Sequence, residues 1–361
     1  MGHTLITGAD GYLGRLLAER LLRDTDDRLT LTVRTADPAR WGALRHLLDQ
    51  RRVDVVPADL RDPDPFATVD PAGITTIVHT AAVTAFNVDR PTARAVNVEG
   101  TGRLAAFARG CPRLTRLLTL STLFSAGRRT GTVAETEHDP AVGFVNHYEW
   151  SKWAAEHRLR TDAAGLPLTI ARLATIVADD DTGTVGQHNA FHNTLKLFCY
   201  GLLSLMPGDP KTPLYLATGE FTGRGLAHLA RPDVPAGIYH LAPAPGEVLP
   251  LGELVDLAFD AFERDPGFRR RRLLRPAFCD IDGFRDLVEG SRGFGASPMR
   301  QALDSVAPFA EQMFLAKDFD SSRLRASWPG VPATDPRRLV EATCTHLVRT
   351  RWGRGIRREA P

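Results

Sequence analysis

Cysteine is scarce and scattered in this chain: Cys111, Cys199, Cys279 and Cys344 are its four, and none stands in a C-x-x-C spacing. That indicates neither a zinc ribbon nor a disulfide framework, so a reduced, cytoplasmic setting is expected. Neither sign of charge is in excess. Lys plus Arg number 45 against 43 Asp plus Glu, a formal net charge of +2 that makes no general electrostatic case for nucleic acid. Long hydrophobic runs are missing too: the longest, Leu195 to Met206, is broken by Lys196 and Gly201 and is too short to span a bilayer. Stable membrane insertion is therefore not expected, and the run reads as a helix packed beside a site. The first residues already read as a strand, so no signal peptide is expected. No internal repeat or low-complexity linker divides the 361 residues. A chain of this length can bury a full doubly wound α/β sheet and a smaller lobe.

Tyrosine and lysine are also rare, with five and four copies. A Tyr followed four places later by a Lys occurs once, in Tyr148-Glu149-Trp150-Ser151-Lys152. Residues 146–157 have helical character, so this spacing projects both side chains from one face. Free tyrosine titrates near 10, and a neighbouring cation tunes it as an acid or base at neutral pH.

About 135 residues earlier stands Thr7-Gly8-Ala9-Asp10-Gly11-Tyr12-Leu13-Gly14. Residues 3–7 read as a short buried strand, and Leu13, Leu16, Leu17, Leu21 and Leu22 recur at helical spacing after the glycines. Glycines at Gly8, Gly11 and Gly14 permit a tight turn and a close backbone approach to a pyrophosphate. The helix N-terminus then offers N–H groups and a positive dipole end to phosphates. A group that can hold a dinucleotide and a group that can move a proton together point to hydride transfer.

The G-x-x-G-x-x-G spacing resembles the short-chain dehydrogenase/reductase superfamily, and the resemblance can be followed along the chain. After a second strand over residues 29–33, Arg34 occupies the place where a carboxylate would bind the ribose 2′-hydroxyl of NAD. A guanidinium there suits a 2′-phosphate, so NADP(H) is expected over NAD(H). Asp59-Leu60, after the strand-like residues 53–56, resembles the adenine-contacting pair. His79-Thr80-Ala81-Ala82, after residues 74–78, matches the small-residue stretch over which the cofactor lies. In the superfamily, the Lys matching Lys152 supplies charge to the Tyr and holds the nicotinamide ribose. Thr122, five residues before Gly127, matches the substrate-orienting hydroxyl, with Ser121 as its understudy. Asn97 matches the asparagine that holds a water linking the Lys to solvent.

Residues 74–102, the hydroxyl-bearing segment 115–122 and residues 143–152 look most like the male-sterility/thioester-reductase branch, which includes fatty acyl-CoA reductases and reductive release domains. The resemblance covers residues 3 to about 180. It implies an NADPH-dependent reductase of the extended type acting on an acyl thioester of CoA or a carrier protein and giving an aldehyde or alcohol. The alternatives are a ketone or aldehyde reductase or an epimerase acting on a free small molecule, and a non-catalytic dinucleotide sensor. A sugar dehydratase is disfavoured by Leu123-Phe124, where an acidic pair would follow the hydroxyl. A Rossmann core is expected over residues 1–180, its sheet completed by about 212–242, with a substrate lobe mostly within 185–345 and a basic tail at 346–361. A homodimer is an expectation by analogy. His188 and His192, four apart, lack the H-E-x-x-H arrangement and a third ligand, so they read as packing or solvated residues. Arg269–Arg272 and the tail arginines Arg349, Arg351, Arg354, Arg357 and Arg358 read as solvated faces, with an acidic carrier protein or the phosphate of a pantetheine arm as the alternative partner.

Overall fold

The structure, a computed structural model, describes residues 2–37, 41–48, 50–294 and 297–353. Arg354, Arg357 and Arg358 lie outside the described residues. Seven strands form one sheet: β1 (His3–Thr7), β2 (Arg28–Val33), β3 (Val53–Pro57), β4 (Thr76–His79), β5 (Arg116–Thr122), β6 (Leu168–Leu173) and β7 (Gly237–Leu241). Their order is β7-β6-β5-β4-β1-β2-β3, and every neighbouring pair is parallel. Parallel strands covered on both faces carry near-continuous apolar sequence. Leu29 to Val33 and Arg116 to Thr122 are accordingly buried at every position. The winding reverses between β1 and β4, so a crevice opens outside the carboxyl ends of these strands, where α/β sheets bind ligands.

Helix α1 (Tyr12–Asp24) leaves β1 through the glycines and buries Gly14, Leu17, Ala18 and Leu21 on the sheet. Helix α2 (His147–Asp162) extends the segment expected over 146–157 and is capped by Asn146, whose side chain accepts the Glu149 N–H at 3.0 Å. Between them, residues 90–109 run as one helical rod with a π-helical turn, Arg94–Glu99, that carries Asn97.

Two segments break where their apolar pattern runs on. The first, over residues 168–178, breaks at Ala174. Its first part is β6, and Thr175–Ala178 turns away to pair with Leu216–Thr218. Backbone bonds mark the departure: the Ala174 N–H goes to Leu241 O, and the Thr175 N–H to Tyr215 O. The apolar run 195–206 is likewise not one helix. Helix α3 (Ala190–Tyr200) stops at Gly201, which takes φ 69°, and Leu205–Pro207 continues as a short strand.

A second core gathers beyond the sheet from Phe198, Leu254, Phe259, Phe262, Phe268 and Leu303, among others. The last helix, α4 (Pro336–Arg349), docks on it through Leu339, Val340, Cys344 and Leu347, and Trp352 is buried with them. Residues 346–352 are thus packed rather than a tail, while Arg349 and Arg351 point outward. Among the described residues, no helix is long and apolar enough to cross a membrane.

Under α2, adjacent strands line up Ser121, Arg172 and His240. Arg172 forks onto Glu156 of α2 with Nη2–Oε2 at 2.7 Å, and both side chains are buried. Glu156 also accepts a hydrogen bond from Ser121 Oγ. Burial pushes the Glu156 carboxyl up, but the charge of Arg172 and the hydrogen bonds from Arg172 and Ser121 hold it below its ordinary value.

Candidate active site

The glycine loop is shaped by what it touches. Gly8 takes φ +65°, and a Cβ there would stand 2.7 Å from Ala81 Cα, so the β1 and β4 loops meet backbone to backbone. Gly11 caps α1 without any side-chain cap, and the first turn of α1 has no acidic residue. That leaves a helix N-terminus suited to an anion. Thr7 does not face the resulting crevice. Its hydroxyl bonds His79 Nδ1 at 2.8 Å and receives the Ala81 N–H at 3.3 Å. Thr80 Oγ1 donates to the Thr7 carbonyl at 2.5 Å, completing the tie between the two loops. Burial and the nearby Lys152 charge push His79 down to about 3, so its neutral ring links Thr7 to Thr101.

Asn97 works on the same hinge. Its Oδ1 accepts the Val83 N–H at 2.8 Å, and its Nδ2 donates to Val83 O at 2.9 Å and Ser151 Oγ at 2.8 Å. Ser151 donates in turn to Tyr148 O at 2.8 Å. The π-turn therefore pins the stretch after β4 to the helix that carries Tyr148 and Lys152.

Tyr148 and Lys152 come together with Thr122 at the end of β5. Burial pushes the Tyr148 phenol up to about 12, a hydrogen bond with Thr122 draws it down, and the adjacent Glu149 adds to the rise. The Tyr148 ring is held edge-on by Phe86, with centroids 5.5 Å apart. Lys152 Nζ donates to Leu120 O at 2.6 Å, and burial brings it down to about 8 against the raising influence of Glu156. Ser121 contributes to the wall, but its hydroxyl goes to Glu156. Gly127 takes φ +62° where a Cβ would stand 2.2 Å from Gly143 O, so the turn after β5 abuts the loop leading into α2.

These groups border a cavity of about 500 Å³. Gly8, Gly11, Tyr12, Leu13, Gly14 and Ala82 line one part of it, and Ser121, Thr122, Tyr148 and Lys152 another. Thr7, His79, Ala81 and Asn97 stand behind these walls as supports. The remaining wall is largely apolar and comes from the second half of the chain, with Phe191, Leu195, Phe198, Leu216, Leu254 and Phe309 among its residues. Tyr12 OH donates to Asp179 Oδ1 at 2.6 Å, tying the glycine loop to the first loop of that half.

Arg34 stands exposed at the end of β2, and its charge reaches the carboxylate of Asp59. Asp59 is held below its ordinary range by the Arg61 guanidinium, which grips it through Nε at 3.0 Å. Arg61 escaped the sequence reading, although its position two residues after Asp59 was in plain view. Leu60 is a core residue packed against Gly100.

Gln312 and Lys317 were also missed, together with their buried partner Glu149. Gln312 Nε2 donates to both Glu149 oxygens at 3.0 Å, and Lys317 Nζ donates to Gln312 Oε1 at 2.6 Å. Burial pushes Glu149 up to about 7 and Lys317 down to about 8. No sequence pattern links a residue of α2 to a lysine near position 317. His188 and His192 lie 5.3 Å apart between ring centroids, and His192 uses both ring nitrogens on Asn189 N and Val177 O. Among the described residues, no cluster of three or more His, Cys, Asp and Glu is placed to hold a metal ion.

Residues 6–221 match the family described as male sterility protein. An isonitrile lipopeptide synthase of Streptomyces coeruleorubidus is 34% identical over 214 residues, which is 53% of this chain and 14% of the synthase. The chain thus spans about a seventh of that relative's length. The terminal R domain from the myxalamid PKS-NRPS biosynthetic pathway superposes with a TM-score of 0.75 at 21% identity, covering 98% of this chain and 92% of that one. A thiolation-reductase di-domain from an archaeal non-ribosomal peptide synthetase gives a TM-score of 0.71 at 16% identity, over 97% and 76% of the two chains. At these identities the structural likeness speaks for the fold.

Proposed function

The chain belongs to the male sterility protein family, and from that premise we propose that it is an NADPH-dependent reductase of acyl thioesters carried on CoA or a carrier protein. The observation that carries the reading is the meeting of Thr122, Tyr148 and Lys152 with the glycine-capped N-terminus of α1 around one cavity whose far wall is apolar. An apolar wall fits an acyl chain. A bare helix N-terminus and a glycine backbone fit the pyrophosphate of a nicotinamide dinucleotide. Arg34 at the end of β2 and Arg61, whose charges both act on Asp59, would favour a 2′-phosphate over a free hydroxyl.

The contribution of the bound dinucleotide is a hydride for the thioester carbonyl carbon. Thr122 and Tyr148 hydrogen-bond the carbonyl oxygen as negative charge grows on it. A phenol held near 12 is protonated at neutral pH, so Tyr148 is ready to deliver its proton to that oxygen. Lys152, still mostly charged at neutral pH, stabilises the phenolate left behind. The hemithioacetal then loses its thiol, giving the aldehyde. Overall, thioester, hydride and one proton become aldehyde and free thiol.

The test is product capture. Protein incubated with NADPH and octanoyl-CoA should yield octanal, trapped as its oxime, and the Tyr148→Phe protein should yield at least ~10²-fold less per unit time. Aldehyde formed equally fast by Tyr148→Phe would remove the assigned acid.

A further inference from the structure

The residues from Phe309 to Phe319 form a wall of the cavity, and most of what they present is apolar: Phe309, Met313, Leu315 and Phe319. Among them sits a buried ammonium. Lys317 is 6% exposed and lines the cavity, and among the described residues its Nζ makes one hydrogen bond, to Gln312 Oε1. An ammonium carries three donors. Two N–H groups of a buried cation thus lack a protein acceptor in a space built to be filled by another molecule, an arrangement that is costly unless that molecule supplies one.

The support behind Lys317 is well made. Gln312 is fixed by four acceptors and donors: its Nε2 faces both oxygens of Glu149 and the Gly127 carbonyl, and its Oε1 receives Lys317. Glu149 is fixed in turn by the Val145 N–H at 3.0 Å and by Asn146 Nδ2 at 3.3 Å. The ammonium is therefore held from the N-terminal turn of the helix that carries Tyr148. Glu149 already supplies a countercharge one side chain away, which favours a neutral acceptor over a second carboxylate.

We propose that Lys317 is a substrate-binding residue that donates hydrogen bonds to a neutral oxygen of the thioester substrate other than the carbonyl being reduced. The inference rests on the thioester reading above and adds a polar subsite to its apolar cavity. Two parts of such a substrate carry that oxygen: a hydroxyl or amide on the acyl chain, and an amide carbonyl of the pantetheine arm.

Four kinds of substrate separate them: octanoyl-CoA, octanoyl-CoA hydroxylated at C3, C5 or C8, and the S-ethyl thioesters of the same acids. Lys317→Met should lower kcat/KM by about 10- to 100-fold wherever the acceptor is present, the size expected for a charged hydrogen bond, and by less than about twofold on plain S-ethyl octanethioate. Loss on every CoA ester but no S-ethyl ester places the acceptor on the arm, and loss on hydroxylated S-ethyl esters places it on the acyl chain. Lys317→Gln, which keeps a donor, should recover part of the loss. Equal loss on all substrates, or loss on none, overturns the proposal. Calorimetric titration with the thioether analogues S-octyl-CoA and S-(hydroxyoctyl)-CoA, alongside the ethyl octyl and ethyl hydroxyoctyl sulfides that lack the arm, makes the same comparison without turnover. A protein that reduces no thioester would defeat the functional reading, and the titration would still decide whether Lys317 binds the acceptor.

Discussion

Ser121 and Thr122 are neighbours on β5 whose hydroxyls serve different ends. Ser121 donates to the buried Glu156, in the row with Arg172 and His240, whereas Thr122 stands on the cavity wall with Tyr148, its Oγ1 accepting the Phe124 N–H at 3.3 Å. Strand alternation separates the two. Thr122→Val should therefore cut turnover by roughly 10- to 100-fold with little change in unfolding midpoint, the magnitude of one lost transition-state hydrogen bond. Ser121→Ala should do the reverse, lowering stability by about 1–2 kcal/mol with turnover near normal. Steady-state kinetics and urea unfolding on both variants check this, and equal kinetic damage from the two would show that the hydroxyls share a role.

Cofactor choice is expected to hinge on Arg34, with Arg61 acting on the same carboxylate, Asp59. Arg34→Asp should weaken NADPH relative to NADH by roughly tenfold or more, the value of one charged hydrogen-bond pair. Arg61→Ala frees Asp59 from its grip and should move the ratio in the same direction by a smaller factor. Equal NADH and NADPH affinities in the unaltered protein, measured by fluorescence titration, would contradict the assignment.

The depressed ammonium of Lys152 gives a pH dependence of definite sign. With its pKa pushed down to about 8 by burial, Lys152 is charged below that pH and neutral above it. Reduction of S-ethyl octanethioate should therefore fall as pH rises through about 8. Tyr148, at about 12, titrates outside this window. Lys317 is also depressed to about 8, so the profile is repeated in Lys317→Met, where the fall should persist. In Lys152→Arg, whose guanidinium stays charged, the residual activity should lose it.

Stability should respond sharply to the buried ion pair under α2. Arg172→Met strands the Glu156 charge away from water and is expected to cost about 3–5 kcal/mol in chemical unfolding. The double variant Arg172→Met, Glu156→Leu should recover most of that loss, because neither member of the pair is then left without its partner. Failure to recover it would mean that packing, not charge, dominates at this site.

What the sequence revealed and what it hid divide along physical lines. Thr122 was singled out by the family resemblance, whereas local structure was legible: the turn at Gly8 and the i,i+4 placement of Tyr148 and Lys152 follow from spacing within one element. The break at Ala174 was not, because it depends on pairing with residues 216–218, forty positions away. The end of α3 was signalled by Gly201, although the apolar run continued past it. Lys317 lies outside any motif, and only the fold brings it through Gln312 to Glu149.

The most direct measurement follows NADPH absorbance and free thiol together while the protein acts on octanoyl-CoA and on 2-octanone. The account predicts one thiol released for the first NADPH consumed with the thioester, and a slower reaction with the ketone. NADPH consumption with 2-octanone but no more than the buffer rate with the thioester, and no thiol release, would contradict it and leave a reductase of free carbonyl compounds in its place.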